Sequence, residues 1–148
     1  MSKQIDPRGP RFGAVITTVV VAAALATIHS GSLSENKIAA TLLAIQLIAH
    51  GLGAFKGLSA QPYGLVYRKF VAPRLGKPDE LEDEAPPRFA QLVGFIFAVA
   101  GLGALILGAT TAAQIIVALH LAASFLNAAF DFCLGCQMYL IGKRITTK

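Results

Sequence analysis

The sequence predicts an all-α integral membrane protein, a single four-helix bundle with both termini in the cytoplasm. Three observations predict it. Hydrophobic residues make up 55% of the chain and charged residues only 14%, against about 25% charged in soluble domains. Uncharged stretches run from Phe12 to Ser34, from Ile38 to Phe55 and from Phe89 to Phe130. Twelve of the thirteen Lys and Arg residues fall in three segments between and beyond those stretches.

The elements follow in order. A span needs about 20 apolar residues to cross a hydrocarbon core of about 30 Å. The first two stretches therefore hold one helix each, roughly residues 12–29 and 37–55. The third, at 42 residues, holds two, over roughly 88–109 and 112–141, with the break at Gly108-Ala-Thr-Thr111. Basic residues are retained on the cytoplasmic side. Lys3, Arg8 and Arg11 precede the first helix, while Lys56, Arg68, Lys69, Arg74, Lys77 and Arg88 lie between the second and third. Lys143, Arg144 and Lys148 follow the fourth, and only Lys37 lies in the first connection. Four retained spans place all twelve clustered charges on one side. The protein is thus expected in the cytoplasmic membrane, with the lipid bilayer as its first partner. The pI near 9.5 then reflects anchoring at the inner leaflet and argues for no nucleic acid partner.

Helices in lipid associate by close approach of small residues. Ala90, Gly94 and Ala98 recur at four-residue spacing, Ala100, Ala104 and Gly108 mark another face, and Ala22 to Ala24 with Ala26 supply the first helix. The loop over 56–88 divides in two. Tyr63, Val66, Tyr67, Phe70 and Val71 follow helical spacing, with Arg68 and Lys69 on the other face. This predicts a short helix on the inner membrane surface, stopped by Pro73. The stretch 77–87 then packs five carboxylates between prolines and is expected to be a solvated linker.

The fourth span carries most of the chemistry. His120, Ser124, Asn127 and Asp131 fall at i, i+4, i+7 and i+11, which puts them on one helical face. Polar groups in hydrocarbon are costly, so this stripe is expected to face the bundle interior. Gln46 and His50 on the second helix and Gln91 on the third are its expected partners, with Arg11 or Arg88 for Asp131. The stripe reads either as a proton or solute path or as interhelical hydrogen bonding. His29 reads as interfacial.

Both cysteines of the chain form Cys133-Leu-Gly-Cys136. At three-residue spacing on a helix their Cα atoms lie about 5 Å apart, within disulfide range. In the reducing cytoplasm a permanent bond is not expected. Reversible thiol chemistry with Asp131 as proton acceptor, inert interfacial thiols, and a shared metal site all remain open. An unbroken fourth helix would put the pair near its C-terminal end, where the dipole opposes an anion.

Three phrases together resemble a bacterial, largely actinobacterial, family of small four-span membrane proteins of unknown function. They are Ile5-Asp-Pro-Arg-Gly-Pro-Arg-Phe12, the loop 73–91 and Phe132-Cys-Leu-Gly-Cys-Gln-Met-Tyr-Leu140. The general layout is similar to DoxX/DoxD-type membrane subunits. The resemblance implies that Asp6, Arg8, Arg11, Cys133 and Cys136 are signature positions, and that members are encoded beside thioredoxin-like and sulfurtransferase proteins. It brings no established activity, and the cofactor is unknown. Three functions are consistent with the residues. One is a thiol-redox or sulfur-relay partner of such a protein, working through Cys133 and Cys136. Another is a carrier of a small sulfur compound, which would require a homo-oligomer. The last is a non-catalytic subunit of a larger membrane complex.

Overall fold

The computed structural model describes residues 3–147. Four long helices form its body: α1 (Arg8–Ala26), α2 (Lys37–Gly51), α5 (Ala85–Ile106) and α6 (Thr110–Phe130). A π-helical turn, Leu52–Lys56, extends α2. Each of the four is long and apolar enough to cross a membrane. They form a closed square in chain order, because α1 packs on α2 and α6, and α5 packs on the same two neighbours. Large side chains such as Val19, Ile48, Ile96, Ile115 and Phe130 point outward. Such helices are compatible with a multi-pass membrane protein.

Close packing comes from the small residues. Ala24, Ala39, Ala98 and Ala113 are fully buried, and they lie with Val21, Leu43, Leu105 and Val117 in the interior. Of the predicted small-residue faces, Gly94 and Ala98 are buried in the bundle, whereas Ala100 and Gly108 are exposed. The break between α5 and α6 falls where expected. Gly108 takes a positive φ of 74°, and the amide of Ala109 reaches back to the Ala104 carbonyl at 2.8 Å.

Helix boundaries differ from the sequence expectation, for identifiable reasons. Helix α1 begins at Arg8 directly after Pro7, and α5 begins at Ala85 with prolines in its first turn. A missing N–H costs nothing in the first turn of a helix, so proline starts these helices upstream of the charged residues. The largest correction concerns the fourth span. Helix α6 stops at Phe130, because Asp131 adopts a left-handed conformation with φ 55°. A separate helix, α7 (Leu134–Thr146), follows and packs along α5. Gly135 makes that approach possible, since a Cβ there would lie 2.6 Å from the Cα of Ala90.

The long loop is also more ordered than expected. Helix α3 (Pro62–Val66) runs through a π-helical turn (Tyr67–Val71) into α4 (Ala72–Leu75). Pro73 does not stop it, because that residue sits in the first turn of α4, and Gly76 with φ 73° ends it instead. The segment only partly presents an apolar face outward. Leu65, Val66 and Phe70 are exposed, but Tyr67 is buried against Gly9 and Phe12. Arg68 donates to the carbonyls of Leu58 and Ser59 at 3.3 and 2.7 Å, which closes the loop on itself.

The acidic stretch is not a free linker. Strand β1 (Gln4–Ile5) pairs antiparallel with β2 (Glu82–Asp83). Glu84 accepts from the Leu58 amide at 2.9 Å and faces Lys3 at 3.9 Å. The N-terminal segment is thereby tied to the loop. At the opposite end, buried Asn36 bridges the backbone of His29 and Ser32, while His29 itself is exposed.

Candidate functional site

The residues singled out from the sequence gather at one end of the bundle, where α1 and α5 begin and α2 and α6 finish. Three groups meet there: a thiol turn, a buried imidazole pair, and an acid–base network beside a cavity.

The thiol turn is built by the break after α6. With Asp131 in the left-handed region, its amide bonds the Asn127 carbonyl at 3.1 Å and that of Phe132 bonds Leu126 at 3.2 Å. The chain then re-enters a helix at Leu134, and Cys133 becomes its N-cap. The Cys133 sulfur accepts the Cys136 amide at 3.2 Å, and the two cysteines form a disulfide with Cα atoms 5.2 Å apart. This separation matches the helical-spacing argument. The electrostatics reverse the expectation from an unbroken helix. Cys133 stands at a helix N-terminus, where the dipole favours a thiolate, and Lys143 and Arg144 sit in the last turn of the same helix. Gly135 is buried against Ala90, and Tyr139 packs on Phe89 with ring centroids 5.9 Å apart. Asp131 is exposed and lies 4.0 Å from Arg11. Arg88 does not reach it and instead donates to the carbonyls of Ala54 and Phe55 at the end of α2.

The stripe on α6 divides along its length. His120 and Ser124 are buried, Asn127 is half-buried, and Asp131 is out at the surface. Ser124 turns back to its own helix, donating to the Leu121 carbonyl at 3.0 Å. His120 meets His50 across the bundle with ring centroids 5.3 Å apart, and Phe97 stacks on His120 at 5.5 Å. His50 pairs through Nδ1 with Gln91 Oε1 at 2.7 Å. Among the described residues, Nε2 of His50 and Nδ1 of His120 are buried without a hydrogen-bond partner. Gly94 makes the room for His50, since a Cβ there would come within 2.8 Å of the imidazole. Gln46 is fully buried but belongs to a different contact, donating to the Thr17 carbonyl at 3.5 Å and accepting from Tyr63 at 3.2 Å.

The third group joins the N-terminal motif to the loop. Arg8 grips the Asp6 carboxylate with its side chain at 2.9–3.2 Å and its amide at 3.0 Å. The Tyr67 hydroxyl donates to the same carboxylate at 2.8 Å. Arg8 holds the Asp6 carboxyl below its ordinary range, and burial followed by Asp6 pushes the Tyr67 phenol up. Arg11 is apart from this network. Its guanidinium reaches α6, donating to the Ala128 carbonyl at 3.3 Å. Beside Asp6 lies a cavity of about 250 Å³, lined from β1, the start of α1, the 58–68 segment and Gln91.

Among the described residues, no group of three or more His, Cys, Asp or Glu side chains converges on a common point. Sequence reasoning missed Gln61 and Thr17 and put Tyr63 and Tyr67 on the membrane face of a surface helix, whereas they reach Gln46 and Asp6 within this end of the bundle. The available signals were Gly53 and Gly94, each of which clears space for a polar side chain, Gln91 and His50 respectively. No curated protein and no solved structure matches the chain. A family model described as a domain of unknown function, DUF4395, matches residues 5–144, so the chain belongs to that family.

Proposed function

We propose that this chain is a multi-pass protein of the cytoplasmic membrane, with both termini inside. In this reading Cys133 and Cys136 exchange electrons or sulfur with a cytoplasmic thioredoxin-like or sulfurtransferase protein. The observation that carries the proposal is Cys133 at the N-cap of α7, bonded to a second cysteine one turn along. A helix N-terminus stabilises the attacking thiolate, and the second thiol is held where it can resolve a mixed disulfide. The clustering of Lys and Arg supports the orientation, since the N-terminal segment and the 56–88 loop, which carry nine of the thirteen basic residues, lie at the thiol end beside the starts of α1 and α5.

In the direction that oxidises the pair, the partner supplies a disulfide. The Cys133 thiolate attacks one sulfur of the partner's disulfide and releases a partner thiolate. Cys136, after passing its proton to a base, attacks Cys133 and displaces the second partner sulfur. The pair ends as a disulfide and the partner as a dithiol, with two electrons and two protons transferred. Asp131, exposed two residues before Cys133, is the proposed proton acceptor.

Cysteine trapping in cells tests the proposal. Cys136→Ser leaves Cys133 without a resolving thiol, so it is expected to accumulate a mixed disulfide with the partner that reductant releases. If no such adduct forms and both wild-type cysteines stay reduced under oxidative and sulfur stress, the proposal fails. A reporter fused behind Lys148 that is active only outside the cell would overturn the orientation.

A further inference from the structure

We propose that the cavity beside Asp6 binds the ring of a neutral quinone, held at its carbonyl oxygens by the side-chain amides of Gln61 and Gln91. The inference stands independently of whether the cysteines cycle. At about 250 Å³ the cavity is near the small end of ligand sites, which begin at about 300 Å³, and suits one or two fused rings. Ile5, Pro10 and Leu58 supply apolar walls, and Gly9, Gly13 and Gly64 leave the room.

The polar groups decide the ligand's chemistry. Gln61 is nine-tenths buried or more, at 4% exposed. Its Oε1 accepts the Gly64 amide at 2.6 Å, and a backbone N–H can be met only by the oxygen, so the orientation of this carboxamide is determined. Gln91 Oε1 lies 2.7 Å from His50 Nδ1, an arrangement that leaves the Gln91 NH₂ free when Nδ1 carries the imidazole hydrogen. Among the described residues neither NH₂ group has a partner, and both side chains line the cavity. The charged groups, by contrast, are all engaged. Arg8 and Tyr67 saturate Asp6, Lys3 faces Glu84, and Arg68 donates to two carbonyls. A neutral ring with two carbonyl acceptors matches two unspent donors between apolar walls, and a quinone of this kind partitions into the membrane that the four spans imply.

The experiment uses the full-length protein in nanodiscs and duroquinone, whose fully substituted ring offers thiols no position for addition. The chain has three tyrosines and no tryptophan, and Tyr67 lines the cavity, so quenching of tyrosine emission reports occupancy. Saturable quenching is expected. Gln61→Glu and Gln91→Glu keep the accepting oxygen and remove the donor, and each is expected to weaken binding about tenfold, the scale of one hydrogen bond. Gly13→Leu fills the space with both amides intact and is expected to abolish binding even if the Glu variants do not fold. Cys133→Ser with Cys136→Ser is expected to bind as wild type. Absence of saturable quenching, or equal affinity in wild type and Gly13→Leu, would overturn the proposal. Displacement of the quinone by sulfate or by anionic lipid vesicles would also overturn it, in favour of an anion site.

Discussion

Gly135→Ala probes the contact that holds the thiol-bearing helix in place. The added Cβ would lie 2.6 Å from the Cα and 2.7 Å from the Cβ of Ala90 on α5. Carbon atoms pack at about 3.5–4.0 Å, so α7 must retreat by roughly 1 Å, because neither neighbour is a rotatable side chain. Overpacking of this kind costs about 1–3 kcal/mol. Alanine recovers at most about 1 kcal/mol of helix propensity, and less in a first turn. A net loss of about 1–2 kcal/mol lowers the melting temperature by about 2–8 °C, taking 2–4 °C per kcal/mol for a chain of this size. Thermal unfolding of the oxidised protein in detergent measures it. Ala90→Gly in the Gly135→Ala background removes the opposing methyl and is expected to recover part of the loss, with a coupling energy of about 0.5–3 kcal/mol. A Gly135→Ala protein that melts as wild type, with no coupling to Ala90→Gly, would refute the docking of α7 on α5.

Three further outcomes follow from the same geometry. Asn36→Ala removes a buried side chain that makes three hydrogen bonds to the 29–32 backbone and is expected to cost about 2 kcal/mol, read as a lower unfolding midpoint. Asp6→Asn is expected to destabilise the loop at neutral pH by about 1–2 kcal/mol. Because the Asp6 carboxyl is lowered chiefly by Arg8, that contribution is present above the ordinary carboxylate pKa and lost as pH falls through the depressed value. The gap between wild type and variant should therefore close in acid, and a gap independent of pH would contradict the ion-pair account. After reduction, Cys133 at its helix N-terminus is expected to alkylate about tenfold faster than Cys136 at neutral pH, as peptide mapping would show. Equal rates would remove the argument from the helix dipole.

Much of the bundle was legible because hydropathy acts over whole spans. The uncharged stretches specify four helices, and Gly108 marks the turn between the last two. The Cys133–Cys136 separation of 5.2 Å falls close to the helical-spacing expectation, although Cys133 is an extended N-cap outside α7. The break at Asp131 was not. It involves no glycine or proline, and only the modest tolerance of Asp for positive φ hints at it, so the dipole argument at the cysteines had the wrong sign. Proline misled in the opposite direction. Pro73 reads as a stop and Pro86 with Pro87 as linker, yet each lies in a first helical turn, where proline is permitted. The polar stripe on α6 assumed one continuous inward face, but Asp131 sits beyond the helix and outside the bundle. The ties between β1 and the acidic loop were invisible, because a ladder two residues long leaves no periodic signal. Tyr67 was assigned to the membrane face by its spacing. The π-helical turn that begins there and the gap left by Gly9 put it inside.

The account rests on a thiol pair that opens and closes at potentials a cytoplasmic partner can reach. Redox titration of the purified protein against glutathione and dithiothreitol buffers, read by mass after thiol labelling, measures this directly. The account predicts reversible two-electron interconversion between about −180 and −270 mV, the span from disulfide isomerase to thioredoxin. A midpoint below about −300 mV, where structural disulfides lie, or cysteines that never join under oxidising buffers, would contradict it.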